Sequence, residues 1–371
     1  MTSPVACRFH ALAVSQIDDP PAAGIRPLVG PVLQQELSAN PDTTSETPCL
    51  FCLTDESGRA VSWIRAWADR FHVDGASVPW LWTGDLHTVP DLRGRGLATH
   101  LQQESTRWAE QRGFGRGSVF STDETLSIYR KLGYLMPGFA GRQVLLRSAR
   151  PVLAGHIASR RIVAAASAGL RPLAALAGAV TAARCRRWAA ATTAERRSDT
   201  SGARAASVIA AAEQTMPVRF NISADKLQWK MDNASKKGGP CILTLVFGPR
   251  GPLAMAVTRT RVETRPLAGR YRDFRCTTLL DFVLAERSEP AARALVGHVV
   301  GAFLESADAE VLQLLSYDPL VAHAASRLGL VRAGRGMSFA CRLPPGLRPP
   351  DDAGSIASWP VTHFSGDGPF F

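Results

Sequence analysis

The sequence predicts an α/β fold in two domains, and three observations carry the prediction. Between Trp80 and Tyr134 the pattern runs strand, glycine-rich turn, helix, strand, helix. The second half of the chain repeats that order at a coarse level. At 371 residues, 46% of them hydrophobic, the chain can fill two cores and still spare a connector.

Trp80 to Thr88 reads as the central strand and Leu97 to Gln111 as the helix after it. Between them lies Val89-Pro90-Asp91-Leu92-Arg93-Gly94-Arg95-Gly96-Leu97-Ala98. The two glycines and the alanine let the backbone pass close to a bulky group. At the mouth of a helix, free N–H groups point outward and the dipole favours anions. Arg93 and Arg95 add mobile positive charge, so the stretch reads as a pyrophosphate cradle. It is not a P-loop, because Leu97-Ala98 stands where Lys and Ser or Thr are required. Nor is it a dinucleotide fingerprint, because Thr99 occupies the place of the third glycine.

Ser118 to Thr122 then reads as a short strand and Asp123 to Leu132 as a helix, stopped by Gly133 and followed by Tyr134 and Pro137. The R-x-x-G-x-A pattern of Arg93, Gly96 and Ala98, with the helix ending Ile128-Tyr129-Arg130-Lys131-Leu132-Gly133-Tyr134, resembles the GNAT superfamily of acyl-CoA N-acyltransferases. The resemblance implies two GNAT-like domains, each a mixed, mostly antiparallel sheet flanked by helices. It also implies that the sheet is splayed beside the central strand, where the pantetheine of acyl-CoA inserts. Arg93, Gly94, Arg95, Gly96, Leu97 and Ala98 would then hold the CoA pyrophosphate, and backbone groups of Thr88 and Val89 would orient the thioester. The implied reaction is transfer of an acetyl group from acetyl-CoA to a primary amine, on a small molecule or a peptide, with no metal.

In that family a tyrosine at the position of Tyr129 protonates the leaving thiolate, and a phenol of pKa ~10 suits a thiolate of pKa ~8.5. The residue's other reading is a core aromatic whose hydroxyl finds a carbonyl. For the base, many relatives carry Glu four residues before the position of Thr88, where this chain has Gly84. Asp85 and His87 are the remaining candidates. A bulge of the kind common in the family's central strand would turn one of them inward. Otherwise Asp85 makes a strand-end hydrogen bond and His87 packs as a neutral ring.

In the second half, Cys241 to Val246, Thr277 to Ala285, Ala291 to Glu305 and Val311 to Leu315 echo the first half's elements. Leu328-Gly329-Leu330 lines up with Leu132-Gly133-Tyr134 at an offset of 196, which sets Ala325 against Tyr129. The cradle is replaced by Glu286-Arg287-Ser288-Glu289-Pro290, whose carboxylates would repel a pyrophosphate. The second copy therefore reads as degenerate, as in mycothiol-synthase-like and FemAB-like tandem transferases, with the first copy active. The expected division is a catalytic domain at 1–147, a connector at 148–216, a degenerate domain at 217–345 and an aromatic tail at 346–371. Two other functions compete: a non-catalytic acyl-CoA-binding module in a regulatory or membrane-peripheral assembly, and aminoacyl transfer from tRNA. The intact cradle argues against the last.

Twelve arginines lie between Arg142 and Arg204 against only Glu195 and Asp199, so this stretch carries ten of the eleven net positive charges. A nearly neutral remainder argues against a nucleic-acid partner. Ile162 to Ala183 is apolar, but Arg171-Pro172 sits inside it, so a spanning helix is not expected. Two readings remain for 148–190: a solvated helical linker, or a basic amphipathic helix in peripheral contact with an anionic membrane. Thr192 to Ala206 is expected to be disordered. Seven scattered cysteines and an N-terminus without a secretory pattern suit a reduced, cytoplasmic setting. Cys49-x-x-Cys52 reads as core rather than as a metal site. The acceptor pocket is expected between a helix near Gly24 to Ser38 and a loop at Phe71 to Val78. The tail from Trp359 to Phe371 should dock as packing, without a substrate role for His363 or Asp367.

Overall fold

The computed structural model describes residues 6–17, 19, 31–120, 122–157, 159–263, 274–306, 308–334, 336–362 and 364–365. His363, Asp367 and the stretch from Gly24 to Gly30 lie outside them.

The first half lays down β1 (Arg8–Ala13), β2 (Pro48–Thr54), β3 (Ala60–Val73) and β4 (Ala76–Thr88) as antiparallel neighbours. Strand β5 (Gly115–Phe120) then adds parallel to β4. Helix α1 (Pro31–Ser38) precedes β2, α2 (Leu97–Gln111) joins β4 to β5, and α3 (Asp123–Lys131) leads into β6 (Leu135–Leu146). The bounds of α2 and α3 follow the apolar periodicity read from the sequence. Trp80 and Trp82 face one side of β4, and on β5 a Cβ at Gly115 or Gly117 would fall within 3 Å of their indoles. Glycine at alternate positions of β5 is what makes room for two tryptophans.

The chain continues through α4 (Arg150–His156), α5 (Arg160–Gly169) and α6 (Arg171–Ala189), the last two meeting at a 51° bend. Pro172 lies in the first turn of α6, where a missing N–H costs no helical bond. The second half follows: β7 (Thr193–Arg197), α7 (Ala203–Thr215), β8 (Val218–Phe220), α8 (Ala224–Lys236), β9 (Cys241–Gly248), β10 (Gly251–Glu263) and β11 (Phe274–Leu284). After these come α9 (Glu289–Glu305), β12 (Val311–Ser316), α10 (Pro319–Arg327), β13 (Val331–Arg332) and β14 (Met337–Arg342).

Strands β7, β9, β10 and β11 repeat the antiparallel run of β1 to β4, and β12 lies parallel to β11 as β5 does to β4. At an offset of 196, β12 superimposes in sequence on β5 and α10 on α3, end for end. This corrects one expectation. Thr192 to Ala206 is not disordered: Thr193 to Arg197 pairs with β9 as an edge strand, and Arg197 bridges Glu195 and Asp199 at 3.0 Å each. The polar, mostly exposed strand suits an edge, where charged side chains face water.

The halves exchange their last strands. The end of β6 pairs with β12 of the second half (Gly141 with Ser316, Leu146 with Val311). In return β14 inserts between β5 and the start of β6 (Ser338 with Phe120, Ser338 with Phe139). One sheet of fourteen strands results. Helix α8 ties the halves again from one face. Its buried Lys226 ammonium meets Asp42 at 2.8 Å, Asn40 at 2.7 Å and the Ala68 carbonyl at 2.7 Å. The described part of the tail is packed, with Trp359, Val361 and Phe364 buried and Trp359 stacked on Phe71; the rest of the segment to Phe371 lies outside the described residues. Cys49 and Cys52 are both buried in one core cluster. Burial pushes both thiols up to about 12, so they are inert at neutral pH.

Candidate active site

Strands β4 and β5 pair from Trp80 with Gly115 to Thr83 with Ser118. The last rung is locked on both sides, with the Thr83 hydroxyl donating to the Gly117 carbonyl at 3.2 Å and Ser118 to the Thr83 carbonyl at 2.9 Å. Beyond it β4 runs on to Thr88 with no partner on its β5 side among the described residues. The sheet is thus split at the strand end that feeds the glycine-rich turn.

Within that free stretch β4 bulges. Trp63 pairs with His87 and Arg65 with Gly84, so two residues of β4, Asp85 and Leu86, stand against Ile64 alone. Asp85 takes a left-handed backbone, φ +53°, which costs an L-residue about 1–2 kcal/mol. The Arg65 guanidinium holds its carboxylate at 2.9 Å. Asp85 is thereby tied to β3 at the bulge. His87 is different. Its ring stacks on Trp63 at 4.3 Å, and its nitrogens make no hydrogen bond among the described residues. Partial burial, then the nearby Arg93 charge, holds the imidazole below its ordinary pKa, so it is neutral at pH 7.

The turn is built to leave N–H groups free. Pro90 opens a single 3₁₀ turn to Leu92, and Arg59 pairs with Asp91 at 3.3 Å to hold it down. Gly94 and Gly96 take φ of +77° and +80°, and Gly96 caps α2. The first helical bond is from the His100 N–H to the Gly96 carbonyl at 3.0 Å, so the amides of Leu97, Ala98 and Thr99 lie ahead of the ladder. A Cβ on Gly94 or Gly96 would meet nothing within 4 Å, so the space in front of the loop is open. Arg93 to Gly96 is exposed, while Leu97 is buried with Leu101 and anchors the helix end. These residues fit a pyrophosphate.

Around the turn, Val89 N–H donates to Val61 at 3.0 Å, and the Thr88 carbonyl accepts from Arg93 Nε at 3.1 Å, so these two backbone groups hold the turn. One expectation about the site changes. The hairpin of Phe71 to Val78 turns at Asp74-Gly75, at the opposite end of β4 from Thr88, and does not wall the split. Asp74 there lines a cavity of about 230 Å³ with Leu284, Arg287, Tyr317 and Asp318 at the strand ends of the second half.

Tyr129 sits on α3 behind the split, stacked on Phe120 at 5.2 Å. It is 1% exposed, and its hydroxyl accepts from Gln102 Nε2 at 3.1 Å. Gln102 Oε1 in turn accepts from the buried Arg116 at 2.6 Å, and Arg116 reaches Thr106, whose hydroxyl lies 2.7 Å from that of Tyr134. Sequence reasoning missed Arg65, Trp63, Gln102 and Arg116. Each acts across a register or between a helix and a strand, and no local motif marks such partners.

In the second half Ser288 caps α9 by accepting from Ala291, and Arg287 pairs with Asp318 at 3.5 Å. Neither a glycine turn nor a phenol is present at the matching positions.

These features, a split beside a bulged central strand and a glycine turn at a helix mouth, coincide with a sequence match. Residues 18–134 match the acetyltransferase (GNAT) family. No curated protein matches the chain by sequence. Solved structures share its fold. A GCN5-related N-acetyltransferase from Anabaena variabilis matches with a TM-score of 0.53 and 11% identity, over 91% of this chain and 73% of that one. One from Kribbella flavida matches at 0.51 and 16%, over 92% and 71%. The N-myristoyltransferase of Saccharomyces cerevisiae with bound myristoyl-CoA matches at 0.52 and 11%, over 97% and 85%. At such identities the likeness is one of fold.

Proposed function

We propose that this protein is an acyl-CoA N-acyltransferase that moves an acyl group, acetyl by preference, from CoA to a primary amine. One observation carries the reading: the free end of β4 leads directly into the open two-glycine turn at the mouth of α2. A pantetheine arm in the split would run beside a strand whose outward hydrogen bonds are unmade, with the pyrophosphate on the Leu97, Ala98 and Thr99 amides. Arg95 and Arg93 add charge, and the second half serves as a degenerate partner.

The amine nitrogen attacks the thioester carbonyl, forming the C–N bond and a tetrahedral intermediate. His87, neutral and with unengaged nitrogens, takes the ammonium proton directly or through water. Collapse breaks the C–S bond, and the thiolate takes a proton from Tyr129. That transfer requires the Phe120 ring to yield as acyl-CoA widens the split. Asp85 is a positioning residue, holding the bulge through Arg65.

The closed setting of the Tyr129 hydroxyl favours one second reading, a module that binds acyl-CoA without turning it over. Calorimetry with acetyl-CoA, alongside thiol release with a panel of amines and acyl chains, separates the two. Binding with thiol release supports an enzyme, binding without it a sensor, and no binding ends both.

A further inference from the structure

The described residues expose nine large hydrophobic side chains, and five of them, Ile162, Leu170, Leu173, Leu176 and Val180, fall within nineteen residues of α5 and α6. Leu173 and Leu176 are 66% and 65% exposed. Single exposed leucines are ordinary, but a cluster is not. Leu173, Leu176 and Val180 stand three and four residues apart, on one face of α6, and Arg187 continues the same stripe. No single helix here is long and apolar enough to cross a membrane.

An adjoining face of α6 fixes which way the stripe points. Cys185 is buried against α9, where a Cβ at Gly301 would approach its Cβ to 3.7 Å. At Gly297 an added Cβ would come within 3.3 Å of the Trp188 Cβ. Thr181 and Arg184 donate to the Leu328 and Arg327 carbonyls at 3.5 and 3.3 Å. Small residues on α9 thus seat α6 closely on the second half, and the leucine stripe is held outward.

Charge decides what the stripe meets. From Thr125 to Ala194 the chain has no Asp or Glu, while Arg161, Arg171, Arg184, Arg186 and Arg187 frame the two helices. A second copy meeting this face would set the arginines of α5 and α6 against their own copies, with no carboxylate on either helix. A nucleic acid would satisfy the arginines and leave the leucines facing phosphate and water. A bilayer with anionic headgroups satisfies both, with the apolar face in the headgroup boundary and the guanidiniums on lipid phosphates. We infer that α5 and α6 form a peripheral docking surface for an anionic membrane, held on the face of the second half.

The test is co-sedimentation of the full-length protein with vesicles of phosphatidylcholine alone and of phosphatidylcholine with phosphatidylglycerol. Three proteins are compared: wild type, the Leu173→Asp, Leu176→Asp double variant and the Arg186→Gln, Arg187→Gln double variant. Melting curves and sedimentation velocity accompany each, and the substituted side chains are exposed, so folding should be kept. The wild type should bind the anionic vesicles at least tenfold more strongly than the neutral ones, less so at high salt. Each double variant should lose tenfold or more. Equal partition to both vesicle types, or variants that bind like wild type, would overturn the inference. So would wild-type dimers that the leucine variant alone dissolves, or preference for a nucleic-acid duplex over vesicles.

Discussion

The backbone carbonyls of Tyr129 and Ala325, 196 residues apart, accept the same helix-ending bond: Tyr134 N–H donates to the first and Leu330 N–H to the second, both at 3.1 Å. Both residues are buried, at 1% and 0% exposure. The two halves therefore keep one backbone solution at this corner and differ in the side chain it presents. Only the first half offers a phenol.

Tyr129→Phe keeps the ring against Phe120 and removes the hydroxyl. Loss of the Gln102 hydrogen bond should cost about 1–2 kcal/mol of stability, seen in chemical denaturation. If the hydroxyl is also the acid, turnover per folded molecule should fall by about 10²–10⁴ with acetyl-CoA affinity intact. Unchanged turnover would leave Tyr129 a core residue.

Gly96→Asp places a carboxylate before the amides of α2 and a side chain at φ +80°. There is room for it, and Asp tolerates this conformation better than most residues, so the protein should fold. CoA affinity should fall by at least tenfold in calorimetry. Ser288→Asp keeps an N-cap acceptor for α9 and adds the same charge to the second half, where affinity should not change. Wild-type affinity in the Gly96 variant would remove the turn from the site.

The elements that the sequence shows well are those with local causes. Helix α2 starts where Gly96 ends the turn, and Leu97, Leu101 and Ala109 mark its buried side. The repeat was legible because Leu-Gly stops both α3 and α10. What stayed hidden depends on pairing across distance. Strand β7 is polar on both faces and gives no alternation to read. The exchange of β6 and β14 is a choice of partner between strands of similar pattern, 196 residues apart, and nothing local distinguishes a strand's own half from the other. At the site, Asp85 and His87 stand two apart on β4, and the sequence alone does not say which of them a bulge turns. The bulge separates their roles, and only the register with β3 shows Arg65 beside the first and Trp63 beside the second.

The exchanged strand makes a distal prediction. Phe339 is fully buried on β14, beside Trp82 at 5.8 Å and Trp359 at 5.3 Å, in the core of the first half. Phe339→Ala should cost about 3–5 kcal/mol. Acyl-CoA should then protect the variant less than the wild type in thermal melts, because β5 borders both β14 and the split. A variant as stable as wild type would mean that the first half does not depend on the borrowed strand.

The proton acceptor makes a prediction in pH. Burial first, then Arg93, lowers the His87 pKa below its ordinary 6.5, so the neutral, basic form persists to lower pH than in a free imidazole. If His87 is the base, kcat/KM should rise with pH through an inflection below 6.5 and then level off until other groups titrate. Arg93→Gln removes one of the two causes, and the inflection should move upward toward 6.5. His87→Gln should abolish this limb and lower the plateau by about 10²-fold or more. Because Arg93 also faces the pyrophosphate cradle, its substitution should raise KM for acyl-CoA as well. The shift of the inflection, taken from kcat at saturating donor, is then the part that belongs to His87. A limb that persists in His87→Gln would assign the acceptor to water or to the amine's own titration.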